Sequence, residues 1–549
     1  MPPRWLVVPL VLASVSAAPH SSAQVDGLRT RAEISGYEET STYADVERIV
    51  GGLAARPNVH LERFGRSEEG RELPLLVISD PGVTTPEAAR KLGRPIVLVQ
   101  ANIHAGEVEG KEAALMLARR LVDGELAPLA RQLVLLIAPL YNADGNERVS
   151  VEHRPAQNGP IAGVGTRENA NGLDLNRDYI KLDAAESRAL VGLMNRWDPH
   201  VVVDLHTTNG SYHGYHLTYA PTLNPNADAR LIAFARDTLL PQVRTAMADA
   251  HGFRTYYYGN FAPEGGGGRE SAHVDPASPG DVTWRTFDHR PRFGNNYVGL
   301  RNRIAILSEA YSYLDFPGRV AATAAFVEEV WRGTARHAKQ VLTLTAQADR
   351  AMAGPRAAAA KPADLGLDFE IRALPDPVEI LLGDVGERLN PRSGRPMREM
   401  TAMAAPVRMK DYGVFAATRA RPLPRGWLIP RALAHSPRLA SALDRLRWHG
   451  IQMDEVKADT QMDVERFVVA SVSKAPRVIQ GHQEARVTGT IERAQLSVQA
   501  GALVVPGRQR LARLAFYLLE PDSDDGLATW NLVEEGLAPG QAFPIYRLR

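Results

Sequence analysis

The sequence predicts an α/β protein built on a mixed, mostly parallel sheet with helices on both faces, followed by a smaller β-rich domain. From about residue 61 to residue 346, short continuous apolar runs alternate with segments of helical periodicity. This alternation is typical of buried strands that are connected by covering helices. Beyond about residue 365 the pattern changes to short Val- and Ile-rich runs separated by Gly, Pro and Asp. The chain has 549 residues, which is enough for two large domains.

The elements of the first domain follow from apolar runs and their spacing. Strands are predicted at apolar runs bounded by charged residues, Pro or Gly, namely Leu73–Ser79, Pro95–Gln100, Leu133–Ala138, His200–Leu205 and Arg303–Ser308. Helices are predicted where apolar residues recur at helical spacing, namely Glu109–Val122, Ala184–Arg196, Leu231–Ala250 and Ala321–Ala346. The tail has predicted strands at Phe467–Val472, Ala485–Ile491 and Leu503–Val505 and a predicted helix at Ser436–His449.

An Ala- and Pro-rich segment divides the chain. Residues 353–364 read AGPRAAAAKPAD, a composition that indicates a linker. The predicted organisation is therefore an α/β domain at residues 24–352, this linker, and a β-rich domain at residues 365–549. A polar stretch around Gly265–Gly268 predicts a mobile surface loop.

The first 23 residues have the pattern of a signal peptide. Arg4 precedes the apolar run Trp5–Ala18, and small residues lead up to Ala23. The run is too short to cross a bilayer comfortably. We expect cleavage near Gln24, no membrane anchor afterwards, and export to a bacterial periplasm or to the medium. The alternative is an uncleaved membrane anchor.

Composition excludes several classes of protein. The chain is 44% hydrophobic and 23% charged, which is ordinary for a globular protein. Its net charge is +1, so no overall basic field would attract nucleic acid, and we expect no nucleic-acid partner. Cysteine is absent, which excludes disulfides, thiolate catalysis and Cys-ligated metals. Any metal site must be built from His and carboxylates.

A candidate metal site lies at the ends of two predicted strands. His104 and Glu107 form an H-x-x-E pair just after the strand Pro95–Gln100, and His206 directly follows the strand His200–Leu205. Ligands of α/β sheets bind outside the carboxyl ends of the strands. Two imidazoles and one carboxylate suit zinc, with a fourth position left open for water or substrate.

Further segments give this pattern a family likeness. In chain order, the sequence has GRSEEGREL at 65–73, the H-x-x-E pair, NADG at 142–145, NANGLDLNRDY at 169–179, the His after a strand, and RIAILSEAY at 303–311. Together they resemble the zinc carboxypeptidase family, the carboxypeptidase A-like metallopeptidases, over roughly residues 35–345. NADG departs from the commoner NPDG of that family.

The resemblance implies a role for each residue of the motifs. His104, Glu107 and His206 would hold one Zn²⁺ ion, and Asp174 would orient a ligand histidine. The remaining implied roles are substrate-carboxylate binding by Asn176 and Arg177, oxyanion stabilisation by Arg154, general-base catalysis by Glu309, and substrate contact by Tyr297. Arg148 and Arg167 are alternatives to Arg154, and Tyr297 could equally be a core residue.

The function implied by the resemblance is hydrolysis of C-terminal peptide bonds by a promoted-water mechanism, on peptides with a free C-terminal carboxylate. One alternative is an amidase of the same kind that acts on peptidoglycan peptides or N-acyl amino acids. Another is a peptide-binding relative that has lost catalysis.

Overall fold

The computed structural model describes residues 27–122, 124–264, 273–275, 280–354 and 363–549, without the side chains of residues 402–405. The predicted signal peptide at 1–23, the loop Gly265–Gly268 and most of the linker 353–364 lie outside the described residues. Among those described, no helix combines the length and the apolar character needed to cross a bilayer.

A mixed eight-stranded sheet forms the centre of the first half of the chain. The strands before residue 355 are β1 Val59–Arg66, β2 Glu72–Ile78, β3 Ile96–Ala101, β4 Val134–Ala138, β5 Val201–Thr208, β6 Leu217–Pro221, β7 Thr255–Tyr257, β8 Asn260–Pro263, β9 Val282–Arg285 and β10 Ile304–Tyr311. The sheet order is β1-β2-β4-β3-β5-β10-β6-β7. The central strands β4, β3, β5 and β10 run parallel, while β2 and β6 are antiparallel to their neighbours on the inner side. The fold class predicted from the sequence is confirmed.

Helices surround this sheet and bury their apolar sides against it. The α-helices of this half are Arg31–Ile34, Tyr43–Ala54, Pro86–Lys91, Glu109–Val122, Ala127–Ala130, Ala143–Glu147, Ala185–Trp197, Ala229–Ala233, Leu240–His251, Gly294–Leu300, Phe316–Arg336 and Ala338–Ala353, with a 3₁₀ turn at Leu175–Arg177. The helix Glu109–Val122 packs on β3 and β4 and against Phe316–Arg336. Its predicted and observed bounds agree.

Two predicted helices are interrupted in the structure. The predicted helix Leu231–Ala250 contains a π-helical segment, Phe234–Leu239, just before Pro241, which lacks the backbone N–H that a continuous α-helix needs. The predicted helix Ala321–Ala346 is two helices that meet at His337, whose φ of −101° and ψ of 19° are not helical.

The strands β5 and β10 extend further than their apolar runs. His206 and Glu309, expected just beyond a strand, lie inside β5 and β10, because the two strands stay paired in parallel as far as Thr208 and Tyr311. Polar side chains end the apolar run in the sequence, but they do not end the backbone hydrogen bonding between the two strands.

The second half of the chain is rich in β-structure. Its strands are β11 Asp364–Arg372, β12 Val378–Leu389, β13 Pro396–Met409, β14 Asp411–Tyr412, β15 Val414–Pro422, β16 Gly426–Ile429, β17 Asp454–Glu455, β18 Thr460–Lys474, β19 Ala485–Val498, β20 Leu503–Pro506 and β21 Tyr546–Leu548, with helices at Arg431–Ala434, Pro437–His449 and Ala512–Leu519. Six strands form one sheet in the order β17-β20-β16-β21-β18-β19. Ser436 caps the helix Pro437–His449, where the sequence predicts one.

The two halves share one hydrophobic core. Trp427, Leu443 and Phe516 from the second half belong to the same buried cluster as Leu193 and Tyr297 from the first. In addition, β14 pairs with β9. The second half is therefore packed against the first, and the boundaries predicted at 24–352, 353–364 and 365–549 stay a prediction.

Candidate metal centre and substrate pocket

The predicted metal ligands meet at the carboxyl edge of the central sheet. β3 lies between β4 and β5, so the chain leaves β3 toward one side of the sheet and later returns on the other, as at a topological switch point. His104 and Glu107 occupy the turn after β3, where the Glu107 N–H donates to the His104 carbonyl at 2.9 Å. His206 comes from the adjacent strand β5.

The donor atoms of these three residues converge on one point. The Nδ1 atoms of His104 and His206 each lie 2.9 Å from a different oxygen of the Glu107 carboxylate. One donor atom from each residue can be chosen so that all lie within 4.8 Å of one another, and all three residues are buried. The predicted ligand set is therefore brought together as a compact cluster.

The opposite ring nitrogen of each histidine faces a carboxylate. His104 Nε2 lies 3.0 Å from Asp174 Oδ1, as the resemblance implies. His206 Nε2 lies 3.0 Å from Asp204 Oδ2, a partner that the sequence reasoning missed. A carboxylate at the outer nitrogen fixes the ring orientation and leaves the inner nitrogen free to bind a metal.

Asp204 had a signal in the sequence. In a strand, residues two apart point to the same face, so Asp204 and His206 share one side of β5. A D-x-H pattern on a strand whose histidine is a candidate ligand therefore predicts such a contact.

The donor chemistry fits zinc. Glu107 is 3% exposed, and burial alone would raise its pKa, but His104 and Arg154 beside it hold the pKa well below the usual range. An ionised carboxylate and two histidines with inward Nδ1 atoms are the protein ligands of a catalytic zinc site. The residues present therefore suit the metal that the sequence pattern implies.

A cavity of about 520 Å³ opens above this cluster. The predicted residues His104, Glu107, Arg154, Asn176, Arg177, His206 and Glu309 all line it, together with Arg167, Thr207, Tyr258, Asn260, Phe287, Phe293 and Leu307. The structure thus brings the predicted ligands, base and carboxylate-binding pair to one pocket.

Glu309 stands beside the metal cluster on the neighbouring strand. It pairs with His206 in the β5–β10 register. Burial raises the pKa of Glu309, and the nearby Glu107 carboxylate raises it further, while His206 and Arg154 oppose this. A carboxyl group with a raised pKa beside a metal site is suited to exchanging protons.

Asn176 and Arg177 lie in a tight loop that Asp174 caps. The Asp174 carboxylate accepts from the Asn176 backbone N–H at 2.9 Å. The Asn176 side-chain oxygen accepts from Gly294 N–H at 3.0 Å, and the Arg177 guanidinium lies 4.1 Å from the centre of the Phe293 ring. Both residues line the pocket, where the resemblance places a carboxylate-binding pair.

Two of the three candidate oxyanion arginines reach the pocket. Arg154 forms an ion pair with Glu107. Arg167 binds Asp174 Oδ2 through Nε and Nη2 at 3.0 and 2.8 Å, while its Nη1 atom lies 3.4 Å from His104 Nδ1. Arg148 lies at the surface and pairs with Glu69.

Tyr297 does not reach the pocket. Its side chain is 0% exposed, and its hydroxyl lies 2.8 Å from His449 Nδ1. The substrate-contacting role expected for Tyr297 is corrected accordingly, since the helix Gly294–Leu300 turns this ring into the core. Tyr258, just after β7, lines the pocket instead. Its position depends on the path of the loop after β7, which the sequence pattern does not define.

Comparisons with known proteins agree with this site. Residues 47–293 match the family model described as zinc carboxypeptidase. The chain is 23% identical over 499 residues to "Carboxypeptidase 2" of Trichophyton equinum, covering 88% of this chain and 82% of that protein. A shorter stretch of 130 residues is 35% identical to "Carboxypeptidase D" of Mus musculus, covering 22% of this chain and 8% of that protein.

Solved structures give a weaker likeness. A metallo-carboxypeptidase from Burkholderia cenocepacia has a TM-score of 0.39 and 18% identity, covering 54% of this chain and 69% of that one. The matched family segment contains the whole cluster of His104, Glu107 and His206. Residues 47–293 therefore match the zinc carboxypeptidase family.

Proposed function

We propose that the protein is a zinc-dependent metallocarboxypeptidase that releases residues from peptide C-termini by a promoted-water mechanism. The observation that carries the proposal is the convergence of His104, Glu107 and His206 beside Glu309, in a pocket that also contains Asn176 and Arg177. The names of the relatives, carboxypeptidases 2 and D, support the same activity.

His104, Glu107 and His206 would hold the zinc ion. When bound, zinc polarises the scissile carbonyl and lowers the pKa of water toward about 7. His104 Nε2 hydrogen-bonds to Asp174, and His206 Nε2 lies 3.0 Å from Asp204 Oδ2, so both histidines would present Nδ1 to the metal.

Glu309 is the proposed general base. Its carboxylate accepts a proton from the attacking water and then donates that proton to the nitrogen of the leaving amine. Burial raises the pKa of Glu309, which favours its acceptance of a proton. The β5–β10 ladder fixes it beside His206.

The oxyanion requires a donor that is already in place before reaction. Arg167 meets this requirement better than Arg154, because Asp174 binds two of its nitrogens and leaves Nη1 directed toward the inner nitrogen of His104. Arg154 is already paired with Glu107. We therefore assign the oxyanion contact to Arg167 and the support of Glu107 to Arg154.

Arg177 and Asn176 would bind the free carboxylate of the substrate. A planar guanidinium binds a carboxylate through two parallel hydrogen bonds. Burial lowers the pKa of Arg177, with Asp174 opposing the shift, so an anionic group entering the pocket compensates the desolvation of this cation. A carboxylate held here limits cleavage to the last peptide bond.

The test uses the purified protein and matched peptides. We expect about one zinc per chain by elemental analysis, turnover of peptides with a free C-terminus, and loss of turnover when the same peptides carry a C-terminal amide. Equal turnover of both peptide forms would contradict carboxypeptidase action. A murein tetrapeptide in parallel tests the peptidoglycan alternative, because preferential cleavage of that substrate would replace ordinary peptides as the substrate class.

We also propose that the protein is exported. The support is the signal-peptide pattern of residues 1–23. N-terminal sequencing of the protein recovered from the periplasm or the medium should begin near Gln24, and recovery of the uncleaved chain in the cytoplasm would contradict export.

A further inference from the structure

The loop that carries Asn176 and Arg177 touches the second half of the chain at Gln480. The Gln480 Nε2 atom donates to the Asp174 carbonyl at 3.2 Å, and the Lys181 Nζ atom donates to Gln480 Oε1 at 3.2 Å. Lys181 Nζ also donates to the Arg177 carbonyl. One side-chain amide thus connects both ends of this loop, which we call the clamp loop and define as residues 174–181.

The hydrogen bonds of Gln480 are part-buried, and the lysine that they involve is fully buried. The Lys181 side chain is 0% exposed, and its ammonium group lies 4.4 Å from the centre of the Trp530 ring. Asp178 Oδ1 lies 3.6 Å from the same nitrogen. Leaving a buried polar group without a hydrogen-bond partner costs more free energy than a hydrogen bond contributes when its groups are exposed to water. The Gln480 amide therefore helps to fix the position of this lysine and of its loop.

Gln480 occupies a backbone position that other residues adopt more readily. It has a φ of 51° and Gly481 has a φ of 81°, while Ile479 and His482 exchange backbone hydrogen bonds of 2.7 and 3.0 Å. Two consecutive positive φ values in a two-residue turn define a type I′ turn, whose preferred first residue is Asn, Asp or Gly. A glutamine here is less favourable for the turn, but its longer side chain reaches the clamp loop.

The turn Ile479–His482 lies between the paired strands β18 and β19. This hairpin tip has a second contact with the same region. His482 Nε2 lies 2.9 Å from Asp183 Oδ2, just beyond the clamp loop. The tip is therefore anchored to the first half of the chain independently of Gln480, and replacing Gln480 removes the amide contacts without releasing the hairpin.

We propose that Gln480 is a positioning residue for substrate binding, holding the clamp loop so that Asn176 and Arg177 face the pocket. The second half of the chain then contributes to recognition of the substrate carboxylate, although it supplies none of the predicted metal ligands. This inference rests on the proposed carboxypeptidase function. It assigns to residues 480–482, Gln-Gly-His, a task in the binding of the terminal carboxylate.

The informative variant is Gln480→Asn. Asparagine suits the type I′ turn but is one methylene too short to keep both hydrogen bonds, so folding should be maintained while the clamp loop loses its support. Gln480→Glu is the second variant, since it keeps an acceptor for Lys181 and loses the donor to Asp174. Gln483→Ala is the matched control, because Gln483 lies in the same hairpin and donates to the Ala475 carbonyl at 2.8 Å, away from the clamp loop.

The first readout is selectivity for the carboxylate. We expect Gln480→Asn to raise KM for free-carboxylate peptides about tenfold, in line with the loss of two hydrogen bonds. The preference for those peptides over their C-terminal amides should fall by a similar factor, with zinc content and Tm unchanged. Gln483→Ala should match the wild type. An unchanged preference in Gln480→Asn would overturn the proposal.

The second readout does not need activity. Amide hydrogen exchange of residues 176–182 should speed up in Gln480→Asn and Gln480→Glu but not in Gln483→Ala. If the wild type cleaves no free-carboxylate peptide, the proposed function fails while faster exchange still supports the positioning of the loop. Exchange at wild-type rates in both Gln480 variants would overturn the positioning role, whatever the activity.

Discussion

Asp204 and His206 lie on one face of β5, with the carboxylate Oδ2 3.0 Å from the outer imidazole nitrogen. Asp204 is 3% exposed, so this buried acid contacts the ring directly. His104 has the same arrangement with Asp174. Both histidines of the candidate metal centre are therefore oriented by a carboxylate, one from a loop and one from the strand itself.

The first prediction concerns zinc affinity. Asp204→Asn should weaken zinc binding about 10- to 100-fold, which is the usual effect of losing a carboxylate that orients a ligand histidine. Competition with a chromophoric chelator measures it. Asp411→Asn is the control, since Asp411 is also buried but does not line the pocket. Equal zinc affinity in the two variants would remove Asp204 from the metal site.

Glu309 should be needed for turnover and not for zinc binding. Glu309→Gln keeps the size of the side chain but cannot take a proton from water, so kcat should fall about 10²- to 10⁴-fold while zinc content stays at the wild-type level. Steady-state kinetics with elemental analysis on the same samples checks this. Retention of activity within a factor of ten would rule out Glu309 as the base.

The three arginines should separate by kinetic effect. Arg167→Ala should lower kcat about 10²- to 10³-fold, as expected when a preorganised oxyanion donor is removed. Arg154→Ala should mainly lower zinc affinity, because Arg154 pairs with the ligand Glu107. Arg148→Ala should change neither. The opposite result, a larger loss of kcat at full zinc content in Arg154→Ala, would return the oxyanion role to Arg154.

Tyr297 should matter for stability only. In Tyr297→Phe, the Nδ1 atom of His449 loses its donor in a buried site, and an unsatisfied buried acceptor costs about 1–3 kcal/mol. Chemical unfolding should show this loss, with kcat and KM close to the wild type. A selective rise in KM with full stability would instead indicate that Tyr297 contacts the substrate.

Acid should destabilise the fold through its buried histidines. Burial lowers the pKa of His449 and of His213 to about 3 each, and that of His200 to about 4. The unfolded chain binds these protons near pH 6.5, so the free energy of unfolding is highest above pH 6.5 and falls as the pH drops below it.

The contribution of one histidine to this pH dependence of the free energy of unfolding can be measured. Each such histidine contributes up to about 1.36 kcal/mol per pH unit, and His449→Gln should remove one histidine's share between pH 6.5 and pH 4. Urea unfolding at several pH values, compared with the wild type, measures the difference. An identical slope in the variant would mean that His449 does not titrate on unfolding.

The sequence predicted the parts of the site that belong to strands and their immediate ends. His104, Glu107, His206 and Glu309 come from β3, β5 and β10 or their ends, whose apolar runs are visible, and adjacent parallel strands place their carboxyl ends together. The predicted pocket is reproduced for these residues because the hydrogen-bond ladder leaves little freedom in their placement.

Residues outside the strands were harder to place. Arg154, with a φ of 47°, lies with Arg167 in the irregular segment that precedes Asp174, where no periodic pattern indicates which guanidinium reaches the pocket. Gln480 contacts residues about 300 positions away in the chain. The residue pattern of one sequence carries no information on that contact. Tyr297 was misplaced because spacing along the chain does not tell which side of a short helix faces a cavity.

The pairing of His206 with Glu309 across β5 and β10 has a consequence for how such a protein can diverge. Neighbouring strands are about 4.8 Å apart in any sheet, so the separation of these two positions comes from the backbone and survives changes in the loops. In the function proposed above, substrate choice depends on the clamp loop, which a side chain from the second half of the chain contacts. Mutation can therefore alter selectivity while the hydrolytic geometry is inherited unchanged.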